Sequence, residues 1–209
     1  MKIKSVLLAS VLGALAMIPA AANAAVYTTD FATIGSQTGF TGPYSDGGIT
    51  VEYIGAGSIW TTSQPTAPSG YSWYSNGGGT GYTDIILTGG GTFTSASLLV
   101  GSGWYGGGAE LTYQLLNGAT VVSTGDWGAL PAYGSGLITA NFSGGPFTEI
   151  RVQGPQSSTF DPSNYEALAI GSITLSAVPE TSTWVMMLAG FAGLGFLGAR
   201  RSKAATLAA

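Results

Sequence analysis

The chain has 209 residues, with Lys+Arg 6 against Asp+Glu 10, and contains neither cysteine nor histidine. Those absences exclude disulfide staples, thiolate nucleophiles, Cys-based zinc and iron–sulfur centres, imidazole general bases and the Ser-His-Asp triad. The acidic residues all lie between Asp30 and Glu180, a stretch whose only basic residue is Arg151. Such a region lacks the basic patch that nucleic acid or an anionic surface requires.

The N-terminus has the three parts of an export leader. Lys2 and Lys4 form a basic start, Val6 to Ile18 an apolar run ended by Pro19, and Ala22-Asn23-Ala24 a small-x-small cleavage pattern. A signal peptide over residues 1–24 is expected, removed by signal peptidase after Ala24. An uncleaved N-terminal anchor is the alternative.

Residues 25–177 are rich in Gly, Ser and Thr, with Val, Ile, Leu, Tyr and Phe in short alternating runs. No stretch combines helical apolar spacing with good helix formers, so the region reads as all-β. Strands are expected at 25–31, 48–54, 83–88, 92–100, 109–116, 119–124, 136–142, 147–153 and 167–176. Ile138, Ala140 and Phe142 alternate with Thr139 and Asn141, as a half-buried strand requires. Between two such runs, Asn117-Gly118 predicts a two-residue hairpin turn, with Leu111, Tyr113, Leu115 and Val122 on one face. In the last strand Leu168 and Ile170 are out of phase with Ile173 and Leu175, which predicts a bulge at Gly171. Ser63 to Thr80 reads as one long loop. Many short strands and no fixed-period repeat point to a two-sheet antiparallel sandwich, with jelly roll the leading topology and an Ig-like sandwich the runner-up.

Three kinds of chemistry are open to this composition. Trp60, Tyr71, Trp73, Tyr74, Trp104, Tyr105 and Trp127 fall beside the expected loops. Exposed rings could stack on sugar faces, and Tyr71, Trp73 and Tyr74 are the best placed; the alternative is that they plug the ends of the sandwich. A glycosidase needs two facing carboxyls, and Glu52, Glu110, Glu149 and Glu166 are available, but no local context marks them and solvated strand faces or loop positions are the better reading. No cofactor is expected beyond a structural calcium ion, for which Asp30, Asp46 and Glu166 are candidates without an Asp-x-Asp-x-Asp loop. Gly101 to Gly106 has Gly-x-Gly-x-x-Gly spacing, but no helix follows to hold a phosphate.

The C-terminus reads Val178-Pro179-Glu180-Thr181-Ser182-Thr183-Trp184, then an uncharged run to Ala199, then Arg200-Arg201-Ser202-Lys203. Residues 184–199 as a helix would span roughly 24 Å, a little short of the roughly 30 Å hydrocarbon core. Snorkelling Arg200, Arg201 and Lys203 and an interfacial Trp184 suit a transmembrane helix with the C-terminus, 204–209, in the cytoplasm. A buried helix of a soluble domain is the alternative.

Over 178–203 the chain resembles the PEP-CTERM sorting signal of Gram-negative bacteria, in which Pro-Glu-Pro precedes a short hydrophobic helix and an arginine cluster. Val178, Pro179, Glu180, Trp184, Arg200 and Arg201 carry the match, and Thr181 stands where the family has its second proline. The resemblance implies recognition by an exosortase, a membrane-embedded cysteine protease, after temporary anchoring in the inner membrane. It also implies a final place at the cell surface or in an exopolysaccharide or biofilm matrix. From Phe93 to Val178 the chain is similar in outline to the jelly-roll ectodomains that precede such tails. A non-enzymatic surface or matrix protein is the leading expectation, a carbohydrate-binding module using loop aromatics the alternative, and a carboxylate-pair hydrolase the third.

Overall fold

Along Thr80–Leu87 every second residue is buried, with Gly81, Thr83, Ile85 and Leu87 inside and the residues between them half-exposed. A pleated strand with one face on a core produces that rhythm. In this computed structural model the described residues are 24–56, 59–63, 67–75, 80–103, 109–155, 159–163, 168–177 and 190. The segments read as leader and as sorting signal, including the expected transmembrane helix at 184–199, lie outside them apart from Ala24 and Gly190. Residues 24–178 make one compact unit.

Its strands are β1 (Val26–Thr29), β2 (Gln37–Phe40), β3 (Tyr44–Asp46), β4 (Ile49–Ala56), β5 (Ile59–Ser63), β6 (Tyr71–Ser75), β7 (Thr80–Leu87), β8 (Phe93–Ser102), β9 (Glu110–Asn117), β10 (Thr120–Ala129), β11 (Ile138–Phe147), β12 (Glu149–Gln153) and β13 (Leu168–Ala177). They form two antiparallel sheets. The 7-stranded sheet runs β11-β8-β13-β6-β5-β2, with β1 also on β13, and the 6-stranded sheet runs β10-β9-β12-β7-β4-β3. Side chains from both sheets share one core: Ile49, Val51, Ile85, Leu111 and Ile150 from one, Ile59, Leu98, Val100, Ile170 and Leu175 from the other.

Each of the nine expected strands has a counterpart. The long loop expected from Ser63 to Thr80 is corrected: it contains β6, paired with β5 from Ile59↔Ser75 to Ser63↔Tyr71 and with β13 at Ala169↔Tyr74 and Ile170↔Trp73. The run YSWYS lacks aliphatic alternation, so its strand character comes from its neighbours. The expected bulge at Gly171 is present as a register shift between Ile170 and Ser172, and it leaves Leu168, Ile170, Ile173 and Leu175 all buried. A Cβ there would stand 2.6 Å from Leu137 Cδ1 and 3.1 Å from Ala67 Cβ, so glycine lets Leu137 pack over the bulge without shifting.

The hairpin turn lies one residue later than expected. Asn117 pairs with Thr120, so Gly118 and Ala119 form the loop, with φ +59° at Gly118 and no positive φ at Ala119. A two-residue turn with glycine first needs one left-handed residue, where an Asn-Gly centre would need two. The shift alters what faces the core along β10.

On the outer face of the 6-stranded sheet, buried Gln153 clamps the segment that follows β12. Its Nε2 donates to the carbonyls of Gly81 (2.8 Å) and Asp161 (2.7 Å), and its Oε1 accepts from the Asp161 N–H (3.0 Å). Phe160 then packs on Tyr82 at 5.6 Å between ring centroids.

Candidate functional site

The aromatic trio singled out in the sequence does not form an exposed platform. Trp73 is 0% exposed, stacked on Phe31 (5.9 Å) and close to Tyr44 (6.3 Å), and its indole N–H donates to Thr83 Oγ1 at 3.3 Å. Tyr74 is buried with its ring against Gly103, where an added Cβ would meet it at 1.9 Å, and Tyr71 is half-buried. Phe31 reaches Trp73 from a left-handed backbone (φ 63°), a conformation that costs a non-glycine residue about 1 kcal/mol or more. The cause of this burial is β6 itself, which places Trp73 in the centre of a sheet and turns it to the shared core.

The calcium candidates are occupied with local structure. The Asp30 carboxylate accepts the Ala32 N–H (3.1 Å), and Asp46 Oδ2 accepts the Thr29 hydroxyl (2.9 Å). Glu166 lies outside the described residues, and among those residues no three Asp or Glu gather as a metal set. Trp104, Tyr105 and the sorting residues Val178, Pro179, Glu180, Trp184, Arg200 and Arg201 also lie outside them.

A different aromatic constellation forms where the two sheets end. β10 is the last strand of one sheet and β11 of the other, and between them lies a cleft of roughly 330 Å³. Two register shifts on β10 build it. One falls between Val121 and Ser123, the other between Asp126 and Gly128, and the residues they leave unpaired are Val122 and Trp127. Both line the cleft. A bulge bends an edge strand and re-aims the extra side chain, and here it delivers a half-buried Trp127 and a 50% exposed Val122 to the opening. Tyr113, from β9, spans the gap between sheets and meets Phe142 of β11 edge-on at 5.0 Å and 64°. Its cross-strand partner is Gly125, and a Cβ there would stand 3.3 Å from the Tyr113 hydroxyl, so the glycine leaves the ring room to lie over the edge.

Polar groups complete the lining. Ser123, Asn141 and Ser143 border the cleft, and no described hydrogen bond engages their side chains or the Trp127 indole. None of the lining residues is charged. Apolar and aromatic walls with a few free hydroxyl and amide groups suit a polyhydroxylated ligand with apolar C–H faces. Trp127 was among the aromatics noted in the sequence, but the residues around it come from three strands whose meeting no local pattern announces.

A second cluster lies on the outer face of the 6-stranded sheet. Glu52, Asp84 and Arg151 stand side by side on β4, β7 and β12, with Glu149 two residues before Arg151. Arg151 Nε donates to Glu149 Oε1 and stands 3.8 Å from Asp84 Oδ1, and its guanidinium lies over the Tyr82 ring at 5.2 Å. Asp84 Oδ1 is buried and accepts no hydrogen bond. Burial, then the adjoining Glu149 carboxyl, push the Asp84 pKa up to about 8; Arg151 pulls it down and Glu52 adds to the rise. Buried beside Glu149 and Glu52, with one guanidinium to offset them, the Asp84 carboxyl keeps its proton at neutral pH.

These two sheets and their aromatic-walled mouth define residues 24–178 as an all-β unit of two packed antiparallel layers. No protein-family model matches the chain, and no curated protein does. Among solved structures it is similar to a carbohydrate binding module (CBM6cm-2) from Cellvibrio mixtus lichenase 5A in complex with cellotriose. The two share 17% identity, with 75% of this chain and 98% of that chain covered, at a TM-score of 0.27. Similarity at that score carries no weight for fold or function.

Proposed function

We propose that this is an exported, non-enzymatic surface or matrix protein whose β unit binds saccharide in the cleft between β10 and β11. The observation that carries the saccharide reading is the cleft itself: Trp127 and Tyr113 as ring surfaces, with the polar residues Ser123, Asn141 and Ser143 on its border. The strand orders support jelly roll over the Ig-like alternative. From β6 to β9 successive strands alternate between sheets, β6-β13-β8-β11 and β7-β12-β9-β10 stand as facing sets of four, and two Greek keys wind that way.

Trp127→Ala is expected to weaken binding to a polysaccharide ligand at least about tenfold. The melting temperature should stay within a few degrees of wild type, because the side chain is half-exposed at an edge. Affinity electrophoresis with a parallel thermal melt checks both. Undiminished binding by a folded variant would remove the cleft from consideration.

Export and sorting are supported by the leader pattern at 1–24 and the Val178-to-Arg201 motif. In this reading signal peptidase releases the N-terminus, the helix at 184–199 holds the chain in the inner membrane, and an exosortase processes it. A chain truncated before Pro179 is then expected to lose its membrane-bound form in cell fractions and appear in the soluble exported fraction. An unchanged distribution between fractions contradicts the sorting role.

A further inference from the structure

We propose that the cleft accepts neutral saccharide chains and rejects polyuronates and sulfated glycans. This rests on the saccharide reading of the cleft and adds the class of sugar. Ser123, Asn141 and Ser143 border the cleft and are polar but uncharged, so they bring no charge to a sugar seated there. A uronate carboxylate seated there would lose water and gain no cation, and an unpaired, partly desolvated charge is strongly unfavourable.

The rest of the unit cannot supply the missing cation. Arg151 is the only basic residue between Lys4 and Arg200. It sits on the outer face of the 6-stranded sheet, on β12, held by Glu149, Asp84 and the Tyr82 ring. The cleft lies elsewhere, along β10 and β11. The nearest charge in sequence to Trp127 is Asp126, an exposed carboxylate whose Oδ1 accepts the Gly128 N–H at 2.8 Å. An approaching polyanion therefore meets an acidic surface with an acidic group beside the aromatic wall, and the repulsion is felt within a Debye length.

The test is affinity electrophoresis of the unit 25–177, one compact body, in gels containing either neutral polymers (hydroxyethyl cellulose, xylan, glucomannan) or anionic ones (alginate, polygalacturonate, dextran sulfate). Each is run at about 20 mM and about 300 mM NaCl, which spans strong and weak screening. Retardation by at least one neutral polymer, equal at both salts and lost in Trp127→Ala, with none by the anionic set, is the expected result. Retardation by an anionic polymer that depends on Trp127 overturns the neutral-sugar inference and leaves the saccharide reading standing. No retardation by any polymer overturns both. Ser143→Lys, at an exposed position bordering the cleft, brings a cation to its rim. It is expected to gain alginate binding at about 20 mM NaCl, at least about tenfold over wild type, and to lose it at about 300 mM. Alginate binding by wild type equal to that of Ser143→Lys counts against the inference.

Discussion

Trp73→Ala is expected to destabilise the unit by about 3–5 kcal/mol, the range for removing a large aromatic from a packed core. The side chain is fully buried, it stacks on Phe31, and its N–H is the partner of the Thr83 hydroxyl, which is itself buried. Truncation leaves a cavity that β5, β6 and β13 cannot close without breaking their ladders, and it strands a polar atom. Since small domains are stable by only about 5–15 kcal/mol, the loss is a large share of the total. A urea titration of the unit 25–177, followed by the fluorescence of the remaining tryptophans, measures it. A shift below about 1 kcal/mol would mean that Trp73 is not in the core. Trp127→Ala is the matched control, an aromatic of the same size at the edge, and the two variants should separate stability from binding.

Asp84→Asn is expected to change how stability depends on pH. In the folded chain the Asp84 pKa is raised from 3.8 to about 8, with burial the first cause and the Glu149 carboxyl the second. Between those two values the folded state keeps a proton that the unfolded state has released. The folded state therefore binds more protons, and stability falls as pH rises through the window, by up to about 1.4 kcal/mol per pH unit. Below the window both states are protonated and nothing is lost; above it both are ionised and the loss is complete. Asparagine has the same shape and no proton to give up. The variant should match wild type near pH 4 and exceed it by a margin that grows steadily as pH rises to 8. Urea midpoints at four pH values across the window test this, and an Asp84→Asn slope identical to wild type would refute it. Glu149→Gln removes the second cause and should narrow the window from its upper end.

The same cluster engages Arg151, the only basic residue of 25–177. Its guanidinium bonds the Glu149 carboxylate, lies over the Tyr82 ring and stands beside the Asp84 carboxyl.

Much of the architecture was legible along the chain because strand alternation is a local property. Ile138, Ala140 and Phe142 face inward and Thr139 and Asn141 outward, as their spacing requires. The phase break in the last strand required an extra residue, and Gly171 supplies it. The excluded chemistries are equally local: a chain without His or Cys has no imidazole or thiolate wherever it folds.

The site was not legible in this way. Register belongs to a pair of strands, so a one-residue displacement of the 118–119 turn and two bulges on β10 altered which side chains reach the core edge. Val122, expected with Leu111, Tyr113 and Leu115 on the inner face, stands at the cleft mouth, and Trp127 joins it through the second bulge. Trp73 looks like an exposed loop aromatic until β13 and β5 pair on either side of it. Asp84 acquires its character only where β12 sets Arg151 beside it, with Glu149 two residues earlier. Composition and short-range periodicity dictated that this unit would be β and what chemistry it could not perform. Contacts between residues distant in the chain chose which aromatics face a ligand and which carboxyl keeps its proton, because burial and charge neighbourhood exist only once the sheets have assembled.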